Sequence, residues 1–344
     1  MKKAANLPQD KTVAAWLLIC CALIFLMVVL GGVTRLTRSG LSIVEWDPIL
    51  GVVPPFTQAQ WDSAFDKYKQ TPEYRKVNFG MSLAEFKGIY FMEWGHRLLG
   101  RLIGVVFLVP FLYFLIRRRI AHALTPKLVT MFVLGGLQGA LGWYMVKSGL
   151  VDIPRVSPYR LTAHLALAVI IYGYILWIAL QLLHPRKSTT PSGGLQRFGI
   201  FVTAVIFLMI LSGGFVAGSK AGFAFNTFPL MNGGFIPEGL FSLRPVWINL
   251  FENIATVQFT HRLLAYGLCL VIPVFWWMAM RQALPTAVRL TLHGLLAGLA
   301  IQVALGITTL LNLVPIPLAA AHQAGALVLF SLALLSLHLL RTRA

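Results

Sequence analysis

Eight stretches of about 20 predominantly apolar residues recur along this chain. Each is long enough to cross the hydrocarbon core of a bilayer as an α-helix. Lipid offers no hydrogen bonds to a backbone, so such runs must satisfy themselves as helices. Only 12% of the residues are charged and 58% are hydrophobic, whereas a soluble domain carries roughly 25% charged residues. The predicted fold is therefore an all-α membrane protein of eight transmembrane helices, near residues 13–34, 93–116, 127–147, 160–183, 197–217, 256–280, 289–312 and 318–340. The first run follows Lys2, Lys3 and Lys11 as a signal peptide would, but its length and lack of a small-residue cleavage pattern mark it as a retained helix.

Charge sets the expected orientation. The N-terminus, the alternate connections and the C-terminus carry Lys2, Lys3, Lys11, Arg117, Arg118, Arg119, Lys127, Arg186, Lys187, Arg197, Arg281, Arg289, Arg341 and Arg343, with Asp10 the only acid. The opposite side holds the other 15 basic residues and 10 acids. The positive-inside rule then puts both termini in the cytoplasm, in a cell inner (cytoplasmic) membrane that the chain crosses several times. Two long loops, about 35–92 and 218–255, become external; they either cover an opening at the outer surface or merely connect. The first includes Glu45-Trp46-Asp47-Pro48, the second Phe228-Pro229-Leu230. The net charge of +18 does not indicate nucleic acid, because the basic residues flank apolar runs instead of forming a stripe with interleaved aromatics. Cys20, Cys21 and Cys269 lie inside apolar runs and read as small buried residues, not as a zinc or disulfide pattern.

The chain repeats itself. Gly31-Gly32-Val33 ends the first helix and Gly213-Gly214-Phe215 the fifth. His96-Arg97-Leu98-Leu99 recurs as His261-Arg262-Leu263-Leu264, Gln138-Gly139-Ala140-Leu141-Gly142 as Gln302-Val303-Ala304-Leu305-Gly306, and Ala163-His164 as Ala321-His322. Four matches in order, with His96 to Gln138 spanning 42 residues and His261 to Gln302 spanning 41, define two parallel copies related about the membrane normal. Residues 1–185 and 195–344 are expected to form two pseudo-symmetric four-helix bundles.

The eight histidines divide evenly. His122, His184, His293 and His338 sit among cytoplasmic Arg and Lys and read as interfacial. His96, His164, His261 and His322 lie near the external ends of their helices at repeated positions. One intramembrane histidine is often a packing residue; two per bundle, at one depth, twice over, point to ligands. Two imidazoles on facing helices suit the two axial positions of haem iron, whereas zinc would want a fuller set. Arg97 and Arg262 follow two of these histidines; they can bind haem propionates or snorkel to lipid head groups. Three residues before His96 stands Glu93, and three before His261 stands Gln258. A carboxylate beside one pair suggests chemistry there, unless Glu93 is an exposed interfacial acid.

The segments Gly31-Gly32-Val33-Thr34-Arg35-Leu36-Thr37, Ser39-Gly40-Leu41-Ser42, Glu93-Trp94-Gly95-His96-Arg97, Thr162-Ala163-His164, Thr260-His261-Arg262 and Ala321-His322-Gln323 resemble the haem A synthase family across essentially the whole chain. The resemblance implies oxidation of the C8 methyl of haem O, through an alcohol and a geminal diol, to the formyl group of haem A for cytochrome c oxidase. It implies a haem b cofactor on His261 and His322, substrate haem O between His96 and His164, and a chemical role for Glu93. It also implies metabolic partnership with a haem O synthase. Some members carry a cysteine pair in the first external loop; this chain has none there, as in the proteobacterial and mitochondrial branch. The histidine frame alone would also fit a dihaem b-type membrane cytochrome working with quinone, or a haem carrier.

Overall fold

The computed structural model describes residues 8–47, 50–149, 156–185 and 193–341. Lys2, Lys3, Arg186, Lys187 and Arg343 of the expected cytoplasmic charge, and Pro48 of the first loop, fall outside them.

Eleven α-helices follow in order: α1 (Pro8–Leu36), α2 (Gln58–Lys69), α3 (Pro72–Lys76), α4 (Leu83–Ile116), α5 (Thr125–Gly149), α6 (Pro158–Leu183), α7 (Gly194–Ser219), α8 (Asn249–Glu252), α9 (Ile254–Met280), α10 (Thr286–Leu311) and α11 (Ile316–Arg341). Among the described residues α1, α4, α5, α6, α7, α9, α10 and α11 are long and apolar enough to cross a membrane. The protein is a multi-pass membrane protein with an all-helical fold. Neighbour contacts close α1, α4, α5 and α6 into one ring, and α7, α9, α10 and α11 into another. The rings meet where α6 packs on α7 and on α11, and where α1 packs on α11.

The repeated glycine pair explains that arrangement. The first glycine of each pair faces a histidine inside its own ring, and the second faces the other ring. A side chain at Gly32 would collide with Gln323 of α11, whose amide donates to the Val28 carbonyl at 2.6 Å. A Cβ at Gly214 would lie 2.9 Å from Thr162 Oγ1 on α6. Lipid-embedded helices have little hydrophobic drive to associate, so close approach over small residues supplies the contact.

α4 starts ten residues before the predicted span. Ser82 and Glu85 form a capping box that begins the helix outside the apolar run, and its first turns carry Phe86 and Tyr90 into a cap. The long first loop is itself structured. Thr57 and Gln60 form a second capping box at the start of α2, and Thr71 with Pro72 starts α3. Trp61, Phe65 and Tyr68, at i, i+4 and i+7, bury one face of α2 against Phe86. Phe86 is wholly buried, with ring centroids 5.0 Å from Phe65 and 5.1 Å from Tyr68.

Two smaller expectations change. His338 is not interfacial but buried, with its Nε2 donating to the His184 carbonyl at 3.1 Å and its ring edge-on to Trp177. That bond ties α11 to the end of α6. Cys20 and Cys21 are buried as expected, but Cys269 is exposed on the outside of the bundle, where an apolar thiol faces lipid at little cost.

The aromatic cap is held mainly by Phe86. Phe86→Ala is expected to cost the cap about 3–5 kcal/mol while leaving the spans intact. Limited proteolysis from the external side should then cut residues 57–82 much faster than in the parent, with unchanged helical circular dichroism.

Candidate functional site

Each of the four outer histidines is seated on a glycine of the neighbouring helix. A Cβ built on Gly31 would stand 3.0 Å from His96 Cε1, on Gly142 3.0 Å from His164 Cε1, on Gly213 3.4 Å from His261 Cε1, and on Gly306 2.9 Å from His322 Cε1. The repeated sequence motifs are therefore histidine seats: a Cβ at Gly31, Gly142 or Gly306 would crowd the imidazole, while at Gly213 it would just touch it. His96 and His164 lie within electrostatic reach of each other, and so do His261 and His322. Among the described residues no group of three or more His, Cys, Asp or Glu gathers as a metal-ion site. The geometry offers two ligands per ring, which suits a haem better than a bare ion.

The polar partners of the four rings differ between the halves. Ser212 Oγ lies 2.7 Å from His261 Nδ1. Gln302 Nε2 lies 3.1 Å from His322 Nδ1 and donates to the His322 carbonyl at 2.9 Å. The Ser212 hydroxyl can accept from His261 Nδ1–H, which leaves that ring's Nε2 lone pair to a ligand; Gln302 presents an N–H to His322 Nδ1, a contact that holds the ring without freeing its Nε2. Fixing one ring nitrogen orients the other toward a metal. In the N-terminal half the residue equivalent to Ser212 is Leu30, and His96 Nδ1 is buried without a partner. Gln138 Nε2 donates to the His164 carbonyl at 3.0 Å but meets the ring at Nε2, 3.3 Å away, so His164 Nδ1 is also unpartnered. In one half both rings have a polar partner at Nδ1; in the other neither does.

Glu93 is not an exposed acid: it is 3% exposed. Its Oε2 accepts from the Ser42 amide at 2.7 Å, the Ser42 hydroxyl at 2.7 Å and the Ile43 amide at 2.9 Å. Its Oε1 accepts from Arg97 Nε at 3.1 Å and Nη2 at 2.6 Å. Five donors fill the acceptor capacity of one carboxylate. Arg97 also donates to the carbonyls of Ile43 at 2.9 Å and Glu45 at 3.1 Å, and sits over the Trp46 ring at 5.1 Å. The Ser39–Ser42 segment, legible as a motif but not as a partner of Glu93, is the strap this pair holds down.

The second half repeats the clamp with neutral chemistry. Gln258 Nε2 donates to the Ala221 carbonyl at 3.0 Å. Arg262, 9% exposed, donates to the carbonyls of Phe225 and Thr227, both at 2.9 Å, and more loosely to Pro229 and Leu230. Neither arginine snorkels to the surface; each ties the loop that follows α1 or α7 down onto its ring. The guanidinium donors satisfy loop carbonyls that no helix or strand pairs.

Comparison with known proteins agrees with this architecture. Residues 14–334 match the COX15-CtaA family, described as cytochrome oxidase assembly protein. The heme A synthase of Nitrosospira multiformis is 56% identical over 335 residues, covering 96% of this chain and 94% of its own. That of Nitrosomonas eutropha is 55% identical over 326 residues, covering 94% and 92%. Heme A synthase COX15 of Arabidopsis thaliana is 45% identical over 347 residues, covering 97% of this chain and 76% of its own. With two histidine pairs on glycine seats, two arginine-clamped loops and this similarity along its length, the chain belongs to the COX15-CtaA family.

Proposed function

We propose that this protein is a haem A synthase, an oxidoreductase that converts the C8 methyl group of haem O to the formyl group of haem A for cytochrome c oxidase. The curated relatives carry that name at 45–56% identity. The reading places it in the cytoplasmic membrane with both termini inside, its sites near the outer face, and a haem O synthase upstream.

The observation that carries the division of labour is the unequal support of the two histidine pairs. A resident haem needs ligands that stay oriented. His261 and His322, each held at Nδ1, supply them, and haem b fits this pair. Bound there, it would supply one-electron transfer. A substrate must come and go, and His96 and His164, whose Nδ1 atoms have no partner, suit that role. A dihaem cytochrome would call for equivalent cages, and the Ser212/Leu30 and Glu93/Gln258 differences speak against it.

The chain's own residues then have distinct tasks. His96 and His164 hold the substrate haem between facing helices. Glu93 keeps a negative charge one helical turn from His96 and, through Ser42, Ile43 and Arg97, closes the first loop over the ring. To take up a proton released as the substrate is oxidised, Glu93 must release one of its five donors; the Ser42 hydroxyl has an alternative acceptor, the Ile89 carbonyl at 3.2 Å.

Three outcomes are expected. His261→Ala and His322→Ala should each lose the resident haem spectrum, while His96→Ala and His164→Ala should keep it and lose conversion of haem O; the opposite assignment would overturn the reading. Ser212→Ala should retain haem b but bind it about tenfold or more weakly, measured by haem loss to an acceptor protein. Glu93→Gln should keep haem b and lower conversion by about 100-fold or more, followed by chromatography of extracted haems.

A further inference from the structure

The clamps leave open what binds the two carboxylates of the substrate. Arg97 and Arg262 are spent on loop carbonyls and on Glu93. Arg38 and Lys220, repeat-equivalent residues at positive φ, both face Glu73, a buried acid of α3. Two other cations remain beside the N-terminal histidines. Arg35 lies four residues beyond Gly31, the seat of His96, on the outward end of α1. Arg160 lies four residues before His164, on the outward end of α6. Four residues make about one turn, so each arginine stands on the face of its histidine contact, roughly 6 Å nearer the outer surface.

Both side chains are partly buried, and neither makes a side-chain hydrogen bond or ion pair among the described residues. Arg160 lies over the Tyr144 ring at 4.8 Å. A guanidinium drawn into a membrane protein without an acid or carbonyl partner is costly, and it marks the place where an anion belongs. The second half has no such pair. The residues equivalent to Arg35 and Arg160 are Ala217 and Leu318. The extra charge therefore accompanies the reacting half and not the repeat.

We propose that Arg35 and Arg160 form a two-point anchor for the paired propionates of the substrate haem. A guanidinium binds a carboxylate through two parallel hydrogen bonds, so one arginine per propionate fixes the porphyrin edge at the outer rim. With that edge fixed, rotation of the ring between His96 and His164 is blocked, and one methyl position is carried to the reacting side. The proposal rests on the reading that haem O occupies the N-terminal pair.

The test uses the full-length protein in lipid nanodiscs with its resident haem, titrated with haem O and with haem O dimethyl ester, and followed by the Soret difference spectrum. The wild type should bind the diacid about tenfold or more tightly per carboxylate than the diester. Arg35→Gln and Arg160→Gln should each weaken binding of the diacid by about tenfold, and the double variant should treat diacid and diester alike. The resident haem spectrum should be unchanged throughout. Equal binding of the two compounds by the wild type would overturn the proposal, as would discrimination kept, or resident haem lost, in the double variant. A His96→Ala, His164→Ala variant that binds haem O like the wild type would overturn the substrate-site reading itself, and this anchor with it.

Discussion

An imidazole inside a membrane bundle has to be held by protein, because neither water nor lipid will hold it. Everything about this fold follows from meeting that demand four times. Each histidine lies against a glycine of the next helix, so helices approach closely where the rings sit. The adjacent glycine of each Gly-Gly pair then brings the other ring of helices equally close, at Gln323 and at Thr162. One dipeptide thus fixes both a ligand and the junction between halves. The long loops after α1 and α7 are drawn into the same logic. Their carbonyls are tied down by Arg97 and Arg262, one residue beyond a histidine in each half.

Within this duplicated frame, function resides in the departures from symmetry. Ser212 supports His261 where Leu30 leaves His96 unsupported. Glu93 introduces a charge where Gln258 is neutral. Arg35 and Arg160 stand where the second half has Ala217 and Leu318. Each difference points the same way: toward a stable cage in the C-terminal half and an exchangeable, charged site in the N-terminal half. Duplication supplies two histidine pairs, and on the proposed reading a few substitutions divide holding from reacting.

Much of this was legible in the residues. Apolar runs with few charges specify spans because lipid permits little else, and the repeat aligned the four histidines before any coordinates. The Glu93/Gln258 contrast was equally visible. What sequence concealed was mostly long-range. Nothing local shows that Ser42, 51 residues from Glu93, would supply two of its hydrogen bonds. Arg97 and Arg262 directly follow two of the histidines, and only the loop carbonyls around them show that their terminal nitrogens are engaged. The aromatic cap escaped notice because α2 is short and amphipathic in a chain dominated by apolar periodicity. Its signals were nevertheless present, in the two capping boxes and the Trp61, Phe65, Tyr68 spacing. Ser212 and Leu30 were available from the alignment of the halves, one residue before the glycine pairs.

The central claim is that one histidine pair keeps a haem and the other processes one. Chemical identification of the haems carried by the purified protein tests it most directly. Extraction and chromatography should yield haem b together with haem O, its hydroxylated derivative or haem A. Haem b alone, at two per chain, would contradict the account and make the protein a dihaem cytochrome.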